Sequence, residues 1–508
     1  MNPIPTPNQS IPFSAQCKVE NIGGTLQLTG TFSLPYDIAS TASELNDIID
    51  LADQIGQVLK QEIAVTALQH ADSQSARLAQ EVAPHLHKHG SRPFTLIAPY
   101  GRLKMQRQRL LDPRTGKPFI PSAILWKTKQ NCHIVAALAR SACGTVQNIS
   151  YRKSQKSLSE TARVDSLLAH STVWNLKQEE EQRLEKMQQQ FVETVLQEHG
   201  ETLDKHGFLP PPSEKSACER AVDDELSSEI IEAEVEALYA YFTKEHPTNE
   251  SESDGDGMPK EVEGKRCPRH VPADTILLQA DEVVTKSQET GRKTNKTFTA
   301  TLETGLGQCE YLASRSSESL QMLVAAILVL WGLFSGKKLE VISDGAAWIR
   351  LWIGRLVGVE VYHLLCWYHL CKRVYEGLSG LGATKEEREL LQRKILGFLW
   401  KGDVDGAVEA LKALLPRCRV PSRVEELIDY LLRKRSWIGD YEGRHEAGLW
   451  IASTRVEKWN DTAVSERCKH RSMSWTATGV LAMAIHAAKT KRSLALVPKG
   501  DAKKHTTL

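Results

Sequence analysis

The sequence predicts an α/β domain in residues 271–490, interrupted by a helical insertion and preceded by a mainly α-helical N-terminal region with a small β element. Three observations predict it. Short apolar runs bounded by turn residues recur from residue 275 onward, as strands do. The stretch Leu320 to Phe334 is apolar on nearly every side, as a helix buried against a sheet must be. Ahead of both, residues 244–270 are rich in Pro, Glu, Ser, Asp and Gly, with almost nothing to bury, and read as an acidic flexible linker and main boundary.

The elements follow in chain order. Thr25 to Thr29 is strand-like, and from Ala42 to Val82 apolar residues recur at three and four, the period of a helix. Residues 94–111 read as two short strands around Pro99-Tyr100-Gly101. Residues 120–190 read as helical, with Tyr151–Arg163 and Ser171–Lys186 paired like a helix-turn-helix, Ser171 as N-cap and Trp174 at N3. The helix continues through 176–199, with a stripe of Leu176, Leu184, Met187, Phe191, Val195 and Leu196. That stripe either seams a dimer or packs within its own domain. Pro210-Pro211-Pro212 breaks the chain, and Ser213 to Phe242 reads as helix.

Past the linker, Thr275–Ala280 is a strand ending at Asp281, Thr297–Leu302 a second and Gln308–Ala313 a third. The apolar helix follows, then Leu339–Ser343 ending at Asp344-Gly345, a helix over Ala346–Leu356, and a fifth strand, Val359–His363. The order β-β-β-α-β-α-β is that of the RNase H-like fold, a meander followed by strands joined through helical crossovers. Residues 381–446 are helix-like and form the insertion. The resulting plan is 1–90 helical, 91–187 basic, 188–243 connector, 244–270 linker, 271–380 and 447–490 the two parts of the α/β domain around 381–446, and 491–508 a basic tail. A chain of 508 residues accommodates it, at about three domains.

Composition narrows the function. Apolar residues are 41% and charged residues 25%, a globular balance. Met322 to Phe334 falls short of the ~20 residues a membrane span needs, and Met1-Asn2-Pro3-Ile4-Pro5 lacks the basic and apolar regions of a signal peptide. The ten cysteines include no C-x-x-C pair, so the expected setting is cytoplasmic, with no membrane partner and no disulfide framework. The net charge of +1 hides two opposed blocks. Arg92 to Arg163 holds fourteen Lys/Arg against two acids, a balance of +12. Ala221 to Glu263 holds fourteen acids against two lysines, a balance of −12. A basic block of that size suits a phosphate backbone, because neutralised phosphates release counterions. It also fits a merely solvated surface. The candidate DNA contacts are Arg102, Lys104, Arg107 and Arg109 on the second strand of the pair, and Arg152, Lys153 and Lys156 on the first short helix.

Acids at the ends of the first and fourth strands meet if those strands adjoin. Asp281 and Asp344 hold those places, and two carboxylates there can hold two divalent cations. Mg2+ suits carboxylate oxygens, with Mn2+ as a substitute. An Asp-Gly step after a strand is also an ordinary turn. For a third acid the best candidate is Glu457, early on a helix that Ser453 or Thr454 caps and that also carries Lys458, Arg467, Lys469 and Arg471. Glu442, Glu446, Asp461 and Glu466 are its rivals, each reading better as a surface acid.

Three segments resemble the catalytic domain of bacterial insertion-sequence transposases of the DDE class. They are Leu278-Gln-Ala-Asp281, Ile342-Ser-Asp-Gly-Ala-Ala-Trp-Ile349, and Gly448-Leu-Trp-Ile-Ala-Ser-Thr-Arg-Val-Glu457 with Arg467-Cys-Lys-His-Arg-Ser-Met-Ser-Trp475. The resemblance covers residues 271–490. It implies metal-dependent cleavage and joining of transposon-end DNA, with Asp281, Asp344 and Glu457 as catalytic and metal-binding triad. It also implies double-stranded DNA as partner, a bacterial nucleoid-associated setting, and a homodimer or higher oligomer on paired ends. Two alternatives stay open: a catalytically silent transposase-derived DNA-binding protein, and an RNase H-like nuclease without strand transfer. The chain departs from the family after the fifth strand, where Cys366-Trp-Tyr-His369 has a cysteine in place of an acid, and His369 either still faces the active site or, the reading preferred here, packs as a helix histidine. In the insertion, Arg417, Arg419, Arg423, Arg433, Lys434 and Arg435 are within the reach of a DNA partner, and Trp437 and Tyr441 either stack on a base or pack in a core.

Overall fold

The computed structural model describes residues 14–22, 25–33, 45–128, 132–148, 150–209, 235–243, 269–291, 293–469 and 475–495. The chain forms two compact units, Met1–Glu180 and Glu181–Leu508. The division falls ahead of the acidic segment, most of which lies outside the described residues, as does the basic tail beyond Ala495.

The first unit is richer in strands than its sequence suggested. Strands β1 (Ser14–Ile22) and β2 (Thr25–Ser33) form an antiparallel hairpin. The 38-residue helix α1 (Leu45–Val82) follows. A four-stranded sheet is then built from β3 (His87–Ala98), β4 (Gly101–Asp112), β5 (Lys117–Phe119) and β6 (Cys132–Ile134), in the order β5-β4-β3-β6. The turn between β3 and β4 requires Gly101, whose φ of 131° lies where side chains are strained. A short helix α2 (Pro121–Leu125) interrupts the sheet. Helices α3 (Ala136–Asn148), α4 (Tyr151–Thr161) and the start of α5 (His170–Lys205) share a small core of Leu138, Val146, Leu158, Leu167, Leu168 and Val173. Helix α4 is capped by Ser150, whose hydroxyl accepts from Lys153 N at 3.3 Å. Helix α5 begins at His170, so Ser171 sits inside the first turn instead of capping it.

The second unit is a mixed α/β domain. Strands β7 (Thr275–Lys286), β8 (Thr294–Thr304) and β9 (Cys309–Ser314) form an antiparallel meander. Helix α7 (Ser317–Leu330) then crosses over to β10 (Lys338–Ser343), and α8 (Ala347–Ile353) to β11 (Val361–Leu365). Both return strands are parallel to their neighbours, which is why each needs a helical crossover. The sheet order is β11-β10-β7-β8-β9, so the first and fourth strands of this domain are side by side.

Strand alternation sorts β7 between two cores. Ile276, Leu278 and Ala280 face one cluster, with α7, the later half of α5, the helical segment α6 (235–243) and α16 (Ala477–Ala495). The segment Ser317–Ser335 is apolar and long enough to cross a membrane by composition. Its Leu320, Val324, Ile327 and Leu328 are at most 1% exposed in this core, each burial contributing about 1.5–3 kcal/mol. The stripe on α5 is spent here too: Leu184, Met187, Phe191 and Val195 are buried, so they do not present a free dimer seam. Leu277 faces the opposite cluster, with helix α9 (Trp367–Leu378) and the insertion helices α10 (Lys385–Trp400), α11 (Val404–Lys412), α12 (Pro421–Arg433) and α13 (Tyr441–Glu446). The chain re-enters at α14 (Thr454–Asn460), continues through a π-helical turn, Asp461–Ser465, into α15 (Glu466–Cys468), and then reaches α16.

Candidate functional site

Ala280 and Ser343 are the last residues paired between β7 and β10. The strand expected to end at Asp281 runs on to Lys286, and Asp281 pairs with Thr299 of β8, so Asp281 lies within β7 at the level where Asp344 leaves β10. Asp344 turns the chain. Its Oδ1 accepts from Ala346 N at 2.8 Å, and Gly345 adopts a φ of 78°. A Cβ on Gly345 would meet Leu365 at 3.0 Å and Lys434 Nζ at 2.9 Å, so the turn is also sterically closed. Helix α14 is docked on β7 by Gln279, whose Oε1 accepts from Arg455 N at 3.1 Å and Val456 N at 3.3 Å. Gln279 lies two residues before Asp281, on the same face of the strand. That docking brings Glu457 and Asn460 towards the strand ends. Asn460 Nδ2 donates to Asp281 Oδ2 at 2.8 Å, and Glu282 N donates to Asp281 Oδ1 at 2.8 Å. Glu457 Oε1 accepts from Ser453 Oγ at 2.8 Å.

The charges of these groups act on one another. Burial pushes the Asp281 carboxyl up to about 6, and the charges of Asp344 and Glu457 push the same way, against the Glu282 amide and His369. Burial disfavours a charge on His369. The Cys366 sulfur and the Glu457 and Asp344 carboxylates outweigh it and push the imidazole up to about 9. Lys434, from the end of α12, donates to the Gly345 carbonyl, and burial lowers its pKa against the pull of Asp344. Lys434 also lies 4.2 Å above the Trp437 ring, which packs on His363 at 4.3 Å.

A second ligand-bearing group overlaps the first. Cys366, at the start of α9, His369 one turn on, and Glu457 have ligand atoms within 4.8 Å of one another. His369 therefore faces the acids and is not the packed helix histidine its sequence suggested. Sequence reasoning missed Asn460, which no motif marks, and it gave Gln279 no role and Ser453 only that of a helix cap. The i, i+3 spacing of Cys366 and His369 directly after a strand was the available signal.

The proposed DNA contacts divide. Arg102 and Lys104 are exposed on one face of β4, with Arg102 Nη2 donating to the Leu167 carbonyl at 3.1 Å. Arg109 is half-buried, and Arg152, Lys153 and Lys156 are exposed on α4. Lys458 and Lys469 are exposed, and Arg471 lies outside the described residues. Two assignments need correction. Arg107 is 0% exposed. Its guanidinium donates to Ser122 Oγ at 2.9 Å and Thr128 Oγ1 at 2.8 Å and lies 4.1 Å over Phe94. It shares the inward phase of Leu103 and Met105, so it serves the interior and not a phosphate. Arg467 is likewise buried, 5.1 Å over the Trp475 ring. In the insertion, Arg417 pairs with Glu387 and Arg435 with Asp405. Tyr441 is buried, its hydroxyl donating to the Leu365 carbonyl at 2.7 Å, which is core packing. Of the rival acids, Glu446, Asp461 and Glu466 are exposed and Glu442 is half-buried.

The site thus sets Asp281, within β7, and Asp344, just past the end of the adjacent β10, in the electrostatic reach of Glu457 on α14, beside a histidine, a cysteine and a lysine. No known protein-family model matches the chain. No curated protein matches it either. Among solved structures, the Drosophila P element transposase strand transfer complex aligns over 59% of this chain and 86% of its own, at 10% identity and a TM-score of 0.17. A likeness at that score carries no structural argument.

Proposed function

We propose that the chain is a DNA transposase whose second unit is an RNase H-like catalytic domain. Asp281, Asp344 and Glu457 are its metal-binding and catalytic triad. The observation that supports this reading is the level placement of Asp281 in β7 and Asp344 past the adjacent β10, with α14, which carries Glu457, docked on Gln279 of β7. Asp281 is pushed up to about 6, chiefly by burial. Like charges gathered in a half-buried place fit a site that a cation completes. The carboxylate oxygens are hard donors, which suit Mg2+ or Mn2+. When bound, divalent cations there supply Lewis-acid activation of the attacking and leaving oxygens of a phosphodiester. The protein's own residues do the rest. Asn460 and the Glu282 amide fix the Asp281 carboxylate, the Ala346 amide fixes Asp344, and Ser453 fixes Glu457. The strand order β11-β10-β7-β8-β9, with three antiparallel strands leading, supports the fold reading. Exposed Arg102, Lys104, Arg152, Lys153 and Lys156 in the region 91–187 support a role in holding double-stranded ends. Pairing of two ends calls for two or more protomers.

The test is incubation of purified protein with labelled element ends, Mg2+ and a target plasmid. Cleaved ends joined to target are the expected product. Cleavage without joining would favour a nuclease, and end binding without cleavage would favour a silent binding protein.

A further inference from the structure

We infer that Cys366, His369 and Glu457 form a second, softer metal site that takes Zn2+ and shares Glu457 with the carboxylate triad. The argument is geometric. Cys366 Sγ lies 3.9 Å from Glu457 Oε1, and His369 Nδ1 lies 3.5 Å from the same oxygen. With bonds of about 2.3 Å to sulfur and about 2.0 Å to nitrogen and oxygen, a tetrahedral zinc ion separates its sulfur and oxygen ligands by roughly 3.5 Å and its nitrogen and oxygen ligands by roughly 3.3 Å. Both distances to Glu457 Oε1 stand within a few tenths of an ångström of those values, and the sulfur and a ring nitrogen of His369 lie within 4.8 Å of each other.

Their surroundings fit ligands. His369 Nδ1 is buried and faces the Glu457 carboxylate, and the Cys366 sulfur acts on the same ring. The Ser453 amide donates to Cys366 Sγ at 3.3 Å, and the Ser453 hydroxyl donates to Glu457 Oε1 at 2.8 Å. One residue therefore orients two of the three ligands, as outer partners do in metal centres. Cys366 is a free thiol, and the side chains of His369 and Glu457 are each 29% exposed, which leaves a way in. The donor set selects the ion. Sulfur and imidazole favour zinc, whereas the oxygens of Asp281 and Asp344 favour magnesium or manganese. Three protein ligands leave a fourth position open, the pattern of zinc sites that keep a place for water or substrate. The site goes beyond the transposase reading and does not depend on it, since it stands on these three side chains whether or not DNA is cut.

Cobalt is the probe, because Co2+ in a tetrahedral thiolate site absorbs in the near ultraviolet and the visible and zinc is silent. Full-length protein, reduced and stripped with chelator, is titrated with Co2+. One equivalent is expected to produce thiolate charge-transfer and tetrahedral bands, which Zn2+ abolishes and excess Mg2+ leaves in place. Cys366→Ser should remove the charge-transfer band, and His369→Gln should weaken Co2+ binding by about tenfold or more. Cys371→Ser should retain both features. Absence of a thiolate band, its survival in Cys366→Ser, or undiminished binding in His369→Gln would overturn the site. If Cys366→Ser fails to fold, His369→Gln decides alone, its fold checked by circular dichroism. Cleavage is not a readout here. A wild-type band without cleavage sinks only the transposase reading, and cleavage without the band sinks only this one.

Discussion

Two of the places that withdraw carboxylates from water differ in what surrounds them. In the first unit Asp72 is 2% exposed beside fully buried Arg107. Ser122 donates to one oxygen of Asp72, and the Gln108 amide donates to the other at 2.8 Å. Asp72 raises the pKa of Arg107 against the larger lowering by burial. In the second unit Asp281 is half-buried beside two further carboxylates. The first arrangement is closed: opposite charges and hydrogen bonds answer one another. The second is electrostatically open. A closed buried pair holds a fold in one register, and an open cluster of like charge is where a ligand is wanted.

Substitutions sharpen the contrast, because the same chemical change should act in opposite directions at the two places. The largest effect is expected from Asp281→Asn on catalysis. Cleavage of labelled ends should fall on the order of 10^3-fold or more, about 4 kcal/mol of barrier, while end binding persists. Retained cleavage, or binding lost with it, would break the distinction. The next effect is Arg107→Met. Removing one partner of a buried pair leaves Asp72 uncompensated, at a cost of about 3 kcal/mol or more to the first unit. Denaturant unfolding reads this. Arg107→Met with unchanged stability and weakened DNA binding would return Arg107 to the DNA face.

A smaller effect of opposite sign is expected from Asp281→Asn on stability without metal. The Asp281 carboxyl stands at about 6 in the fold against the ordinary value of 3.8, so the fold holds its proton more tightly than the unfolded chain. Ionisation therefore destabilises the native state above about pH 6, and the penalty fades as pH falls from there towards 4. The substitution should stabilise the metal-free chain on the order of 1–2 kcal/mol at pH 7–8, net of a weakened Asn460 contact, and should gain nothing near pH 4. A loss of stability at neutral pH would show Asp281 to be closed like Asp72. The smallest effect is Lys104→Ala, which should leave stability alone and reduce the salt dependence of DNA binding by about one unit of slope. An unchanged slope would remove Lys104 from the interface.

Much of this contrast was legible in the sequence, for reasons that differ by residue. Asp281 and Asp344 each follow an apolar run directly, and the sequence brought them together only on the condition that their strands adjoin, which the sheet order meets, although β7 runs on past Asp281 to Lys286. Glu457 was found through its helix start and its likeness to a known motif, while Gln279 and Asn460, which dock that helix and hold Asp281, have no spacing that marks them. Arg107 was misread although its phase was visible: it falls in phase with Leu103 and Met105 and not with Arg102 and Lys104. Charge composition outweighed that alternation. The stripe on α5 had the right period, but a period states only that a face is buried, and from Leu184 onward the partner turned out to be the core of the second unit. His369 was judged as a lone histidine. Its meaning came from Glu457, 88 positions away in the chain and 3.5 Å away in space.

The central claim is that Asp281, Asp344 and Glu457 act together as a divalent-cation site. Calorimetric titration of Mn2+ into the full chain tests it most directly, with the wild type beside Asp344→Asn and with Zn2+ present to fill any thiolate site. Saturable Mn2+ binding that Asp344→Asn abolishes, with the variant's fold intact by circular dichroism, is the expected result. Equal Mn2+ binding by the two proteins, or none by the wild type, would contradict the account.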